Sequence, residues 1–324
     1  MTDLTTTLAD RITGALLGTA AGDALGAGYE FSFPGPGAPI VMKGGGPFGF
    51  AAGEWTDDTA MMMSIAIAAE TAPLHSRSGQ DAVAREFVRW YRSMPKDVGN
   101  QTSRVLHRGS LTADAMAADA AATGPDNAGN GSLMRTAAVA AAYGADPDPA
   151  RMLFAADQIS RLTHTGLDTH LACQLWSYAI WWGIRHGTFD GLRAGLDDVI
   201  PDHDRGRWGD WIRAAETQDV PDFEHNNGWV VSALQTAWWG IHQARHITDP
   251  ASHLRAALFE TVRAGHDTDT TAAIAGGLLG AVHGATAVPD QWAQMLHGWP
   301  DATAVDIRRL AAVFANVEDA STPE

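Results

Sequence analysis

Two short stretches carry carboxylates and hydroxyls at a spacing that could do chemistry. Thr56, Asp57, Asp58 and Thr59 open the apolar run in EWTDDTAMMM, and Asp267, Asp269 and Thr270 stand at the head of GHDTDTTAAIAGGLLGAVHGA. In a helix interior, residues i and i+2 point about 200° apart, so Asp267 and Asp269 can face one site only at a helix N-terminus. One such cluster reads most simply as a helix cap, because a helix start favours negative charge by roughly 0.3–1 kcal/mol. Two clusters, each heading a segment too apolar for the surface, suggest convergence. Four carboxylates would then share a small volume, where a like-charge pair at 4 Å costs about 4 kcal/mol at an effective dielectric of 20. Cations relieve that cost. The donors are hard oxygens, which suit Mg²⁺, Mn²⁺ or Ca²⁺ better than zinc or copper, and four carboxylates suit two ions better than one.

Other candidate sites compete with this one. In AGNGSLMR (128–135), small residues precede an apolar segment, so free backbone N–H groups could meet an anion, with Ser132 as a cap and Arg135 adding charge. The stretch THTGLDTH holds His164 and His170, but a spacing of six puts them on different helical faces and matches no zinc pattern. GGGPFG (44–49) satisfies G-x-G-x-x-G through Gly44, Gly46 and Gly49. Pro47 interrupts it and no βαβ unit surrounds it, so it reads as a shaped loop.

The elements that must position these residues are helical. Apolar residues recur at three-to-four spacing over 8–27, 56–72, 80–93, 111–122, 133–142, 149–162, 167–186, 228–246, 250–264, 269–286 and 302–315, and strand-like alternation is almost absent. Gly14, Gly18 and Gly22 form a stripe along one helix, and Gly276, Gly280 and Gly284 form another. Glycine inside a helix costs about 1 kcal/mol relative to alanine, so each stripe implies close backbone approach to a neighbour. The turn signals between the runs, such as FPGPGAP (33–39) and GADPDPA (144–150), are short, which favours one domain over residues 1–324.

Composition narrows the partners. The chain has 324 residues, 45% of them hydrophobic, enough for a substantial core. Its 22 basic and 38 acidic residues leave a formal charge of −16, which argues against non-specific nucleic-acid binding and against anionic membranes. Cys173, the single cysteine, rules out an internal disulfide and a thiolate metal cluster, and reads as a core residue. The N-terminus lacks a basic region ahead of its apolar stretch, and Asp23 interrupts that stretch, so a cytoplasmic location is expected.

The motifs taken together resemble the ADP-ribosylglycohydrolase family. GALLGTAAGDALGAGYEF, PFGFAAGEWTDDTAM, PKDVGNQTSRVL, GNGSLMRTAAVA, SRLTHT, NNGWVVSALQTAWW and GHDTDTTAAIAGGLLGA follow in the family's order from about residue 11 to 287. The resemblance implies an all-α fold with a binuclear Mg²⁺ or Mn²⁺ centre in a cleft that binds ADP-ribose. By the same resemblance, Thr56, Asp57, Asp58, Asp267, Asp269 and Thr270 are the metal ligands. Gly129, Asn130, Gly131, Ser132 and Met134 match a diphosphate and ribose loop, and His164 matches a phosphate-contacting histidine. Asp97, Gly99 and Asn100 match a loop bordering the scissile bond, and Glu30 a glutamate near the metals.

The implied reaction is hydrolysis of the bond between ADP-ribose and an acceptor, such as a side chain of an ADP-ribosylated protein. Glu30, Asp58 and Asp269 are the candidate acid and base, their individual roles open. His266 stands where the family often has a second glycine, which bears on loop shape and substrate choice. A non-catalytic ADP-ribose-binding or crystallin-like protein and a binuclear phosphoesterase are the alternatives.

Overall fold

A computed structural model describes residues 4–35, 37–217 and 227–315. Asn226, the first asparagine of NNGWVV, lies outside the described residues. Fifteen helices dominate what is described: α1 (Leu4–Gly26), α2 (Asp57–Thr71), α3 (Arg77–Arg92), α4 (Asn100–Leu106), α5 (Ala113–Ala121), α6 (Ala137–Ala142), α7 (Ala150–Arg161) and α8 (Leu167–His186). They continue as α9 (Gly191–Asp198), α10 (Asp202–Thr217), α11 (Val230–Gln243), α12 (Pro250–Arg263), α13 (Thr268–His283), α14 (Asp290–Met295) and α15 (Ala304–Ala315). A two-residue hairpin, β1 (His297–Gly298) with β2 (Ala302–Thr303), is the one sheet among the described residues.

The heart of the fold is the antiparallel pair α1 and α13, and the glycine stripes explain it. A Cβ built on Gly18 would stand 2.2 Å from the Gly276 carbonyl oxygen, and one on Gly280 would stand 1.9 Å from that of Gly14. No side chain fits at those distances, so the two backbones touch directly. The zipper continues toward the C-terminal end of α1, where the Thr268 hydroxyl donates to the Gly26 carbonyl at 2.9 Å. Its register therefore brings the end of α1 and the following turn beside the start of α13.

Around this pair, α12, α11 and α8 pack on α13, while α15, α6 and α8 pack on α1. Helix α2 is buried almost all round, from Asp57 through Ala66, as its unbroken apolar sequence requires.

Four helices escape the sequence reading: α4, α9, α10 and α14. Helix α10, DHDRGRWGDWIRAAET, carries two glycines and many charges, so its propensity is poor. Its apolar spacing is nonetheless helical, with Trp208, Ile212 and Ala215 fully buried, and it packs on α11. Helix α6 begins at Ala137 rather than at residue 133, because Asn130–Ser132 and the residues after it form tight turns around the buried side chain of Arg135.

Candidate metal centre and anion loop

The two acidic clusters meet. Carboxylate oxygens of Asp23, Asp58 and Asp269 lie within 4.8 Å of one another, and so do those of Glu30, Asp97 and Asp269. Asp269 belongs to both groups and joins them into one centre. The groups come from α1, the turn after it, the start of α2, the segment before α4 and the start of α13.

Neither N-cap residue caps its own helix with a side-chain hydrogen bond. Thr56 is the N-cap of α2 and Asp267 that of α13, and neither side chain accepts from its own first turn. The cap of α2 comes from another helix instead. Asp23, fully buried on α1, accepts from the backbone N–H of Thr56 at 3.0 Å and of Thr59 at 2.9 Å, and from the Thr56 hydroxyl at 2.9 Å. The Thr59 N–H is the donor that an N-cap side chain ordinarily satisfies. Because its oxygens are already occupied by these donors, Asp23 is better suited to fixing α2 than to holding a cation, although it lies near enough to do so. Sequence reasoning missed it; the available signal was a lone carboxylate in the apolar, glycine-striped helix GTAAGDALG.

The remaining oxygens are less satisfied. Asp58 Oδ2 lies 2.8 Å from the Thr56 hydroxyl, whose single proton it shares with Asp23, while Asp58 Oδ1 and Glu30 Oε2 are buried without a hydrogen-bond partner. Asp57 accepts from the Gly99 N–H at 3.3 Å, and Asp269 Oδ1 from the Thr270 N–H at 3.0 Å. Burial, and after it the neighbouring carboxylates, push Glu30 up to about 8 and hold Asp57, Asp58 and Asp269 well above the ordinary carboxylate range. Burial also raises Asp97 to about 6. Buried oxygens lacking donors, in an all-carboxylate set, fit a hard divalent cation. The rival reading gains nothing: no described group of three or more metal-donor side chains includes a histidine.

The glycine loop lies against this centre. Asn130 Nδ2 donates to Asp267 Oδ2 at 2.7 Å and to the Asn227 carbonyl at 3.0 Å. Asn227, a second residue that sequence reasoning passed over, accepts from the Asp267 N–H at 2.9 Å and donates to the Gly265 carbonyl at 3.0 Å. One amide thus clamps the loop and a second clamps the turn before α13. The sulfur of Met134 reaches the Thr270 hydroxyl at 4.0 Å. Gly129 and Gly131 border the ring of His164, and Gly99 precedes α4, on which Asn100 is the exposed first residue.

Two expectations about this loop need correction. Ser132 caps no helix: it is buried, its hydroxyl facing the Cys173 thiol at 3.3 Å and the Ser160 hydroxyl at 3.4 Å. Arg135 adds no charge at the loop surface, because its guanidinium is fully buried beneath it. GGGPFG forms a tight turn in which Gly45 and Phe50 exchange backbone hydrogen bonds of 2.7 and 3.0 Å. The His266 substitution also gains a physical meaning. Its φ is +61°, after Gly265 at +77°, so glycine would be the unstrained residue there. His266 holds the conformation with its ring edge-on to Phe33 at 4.6 Å and its carbonyl accepting from the Phe31 N–H at 2.6 Å.

An all-helical protein with a buried carboxylate centre clamped to a glycine-rich loop is the class these features define. The ADP-ribosylglycohydrolase family description matches residues 4–323, and the chain belongs to that family. It is similar to the ADP-ribosylarginine hydrolase Tri1 of Pseudomonas putida (strain GB-1), 30% identical over 295 residues, which are 88% of this chain and 74% of that one. It is likewise similar to the ADP-ribosyl-dinitrogen reductase glycohydrolase of Rhodospirillum rubrum, 30% identical over 299 residues, 89% of this chain and 90% of that one. A solved structure of an ADP-ribosylglycohydrolase-related protein complex superposes with a TM-score of 0.73 at 28% identity, covering 96% of this chain and 98% of that one.

Proposed function

We propose that this protein is a divalent-cation-dependent hydrolase that cleaves the glycosidic bond between ADP-ribose and an arginine side chain of a modified protein. The observation that carries the reading is the 2.7 Å bond from Asn130 to Asp267, which couples the anion loop to the carboxylate centre. A substrate whose diphosphate lies on the loop would have its far ribose at the carboxylates. The arginine acceptor follows from the relatives, one of which is an ADP-ribosylarginine hydrolase. The family match across residues 4–323 supports treating the chain as one domain.

Thr56, Asp57, Asp58, Asp267, Asp269 and Thr270 would hold two cations, Mg²⁺ or Mn²⁺, with Asp269 placed to serve both positions. When bound, such cations supply positive charge that orients ribose hydroxyls and acidifies water. The protein's own groups do the rest. Gly129, Asn130 and Gly131 bring the loop close to the diphosphate, with His164 behind them and Met134 packed against Thr270. Asp97, Gly99 and Asn100 line the side from which the acceptor enters.

Water adds to C1″ as the bond to the acceptor nitrogen breaks, and the carboxylates offset the positive charge that develops on the sugar. Glu30 is assigned the proton transfer, taking the proton that the attacking water loses and returning it to the departing guanidine nitrogen. The buried position of Glu30 beside the other carboxylates, with burial the first cause of its raised pKa and neighbouring charge the second, is what selects it for that role.

The deciding experiment incubates the protein with ADP-ribosylated arginine, ADP-ribosylated serine and O-acetyl-ADP-ribose, each with Mg²⁺, with Mn²⁺ and with chelator, and identifies products by mass. Free ADP-ribose from the arginine conjugate, only with cation, is the expected result. Release of phosphate or AMP would replace this reading with a phosphoesterase, and binding without turnover of any conjugate would replace it with a binding protein.

A further inference from the structure

His164 is buried against the anion loop, and its ring is not free to choose a tautomer. Its Nδ1 lies 2.8 Å from the Thr163 hydroxyl, and the same hydroxyl accepts from Arg135 Nη2 at 2.8 Å. A guanidinium is always a donor. The Thr163 oxygen therefore has one lone pair committed to Arg135, and its single proton must go somewhere. Thr163 is fully buried, and the Nδ1 atom of His164 is the one acceptor shown within its reach. If Nδ1 carried a proton as well, the hydroxyl hydrogen would be left buried and unpaired, at the full desolvation cost of that group.

The opposite edge of the ring faces the loop. A Cβ built on Gly129 would stand 3.6 Å from His164 Nε2, and one on Gly131 also 3.6 Å, so the glycines keep this nitrogen from being covered. Arg135 is unusual in its own right. Fully buried, it has no carboxylate partner among the described residues, donating instead to the Ile159 carbonyl at 3.2 Å and lying 4.5 Å from the Phe87 ring centroid. A buried cation without a counter-charge is costly, and its retention asks for a reason beyond stability.

We infer that Arg135 and Thr163 are positioning residues: a directed chain from guanidinium to hydroxyl to imidazole holds His164 neutral with its proton on Nε2, as a fixed hydrogen-bond donor to the diphosphate of the substrate. The ligand half of this statement rests on the proposed function; the tautomer half rests on the chain alone. Burial first, and the Arg135 charge second, push His164 down to about 3, so the ring donates one proton as a neutral group. Such a donor keeps the same direction across the working pH range, whereas an imidazolium would bring a charge that could bind phosphate tightly and slow product release.

Histidine ¹⁵N NMR on the full-length protein tests both halves, with His164→Asn identifying the resonances. A protonated Nε2 and a bare Nδ1 are expected in the wild type, with Nε2 moving when ADP-ribose is added. Thr163→Val, close in shape, is expected to mix the two tautomers and weaken ADP-ribose in proportion to the Nε2-protonated fraction lost, about twofold for an even mixture. Thr163→Ser should restore both. A wild-type proton on Nδ1 would overturn the chain whatever the variants do, as would an unmixed tautomer in folded Thr163→Val. An Nε2 proton that ADP-ribose leaves unmoved would overturn the ligand half alone, since the functional reading is decided separately by the hydrolysis products, while the chain itself stood.

Discussion

Asp58 and Asp23 are both buried carboxylates within reach of Asp269, yet their surroundings ask different things of them. Asp58 keeps a buried oxygen without a donor, whereas Asp23 spends its oxygens on the first turn of α2. Substitution by asparagine separates the two cases. Asp58→Asn and Asp269→Asn are expected to fold normally but lose turnover by more than about a hundredfold, beyond the 10–100-fold typical of groups that only support a metal ligand. Turnover assays at saturating Mg²⁺ or Mn²⁺, with circular dichroism as the folding control, check this. Wild-type activity in either variant would return these residues to ordinary helix-start carboxylates. Asp23→Asn should behave differently. Its new amide must place a donor against backbone N–H or hydroxyl donors, so stability is expected to fall by about 1–3 kcal/mol, read by urea unfolding. Both kinds of aspartate look alike in sequence, because what distinguishes them is which neighbour fills the lone pairs.

Helix-scale geometry decides where those carboxylates stand. The α1 and α13 zipper admits no side chain, so Gly18→Ala, whose Cβ would sit 2.2 Å from the Gly276 oxygen, must push the helices apart. Overpacking of this kind costs about 1–3 kcal/mol and can cost more. The separation also moves Asp269 away from Glu30 and Asp58, so cation affinity, measured by calorimetry, is expected to fall along with thermal stability. Gly206→Ala on the exposed side of α10, where a Cβ meets nothing within 4 Å, is the control and should leave both unchanged or slightly improved. Stability lost at Gly18 with unchanged cation affinity would show that the zipper supports the fold without setting the site. The stripes were visible in the sequence as repeated glycines at a spacing of four. Their pairing with each other was not, since nothing local says which helix a bare stripe faces.

At the scale of the whole molecule, a cation-binding role for the acidic centre would link occupancy to stability and pH. Folding raises Asp23 and Asp97 to about 6 and Glu30 to about 8, so the cation-free folded form binds more protons than the unfolded chain across that range. The stability these three groups contribute is then fully present below the ordinary carboxylate pKa of about 4 and is lost as pH climbs through about 6 and then about 8. Melting temperatures of chelated protein, taken from pH 5 to 9, should therefore fall with pH. Saturating Mg²⁺ or Mn²⁺ should raise them and flatten the slope, since a ligand at about a hundred times its Kd adds roughly 2.7 kcal/mol. A flat profile without cation would mean that these carboxyls are ionised at no cost, and that the centre is not built for metal.

The helical class, the two acidic motifs and the glycine loop were readable directly, because helix periodicity, helix-start chemistry and small-residue turns are local properties of a chain. Helices α9 and α10 were not, because tertiary burial of Leu192, Trp208 and Ile212 overrides their weak propensity. Nor could the sequence show that Asp23 caps α2 across 33 positions, that Asn130 ties the loop to Asp267 across 137, or that Arg135 lies under the loop instead of on it. Each of these depends on which lone pair or donor is left unpaired once the backbones have packed, and only the folded arrangement decides that.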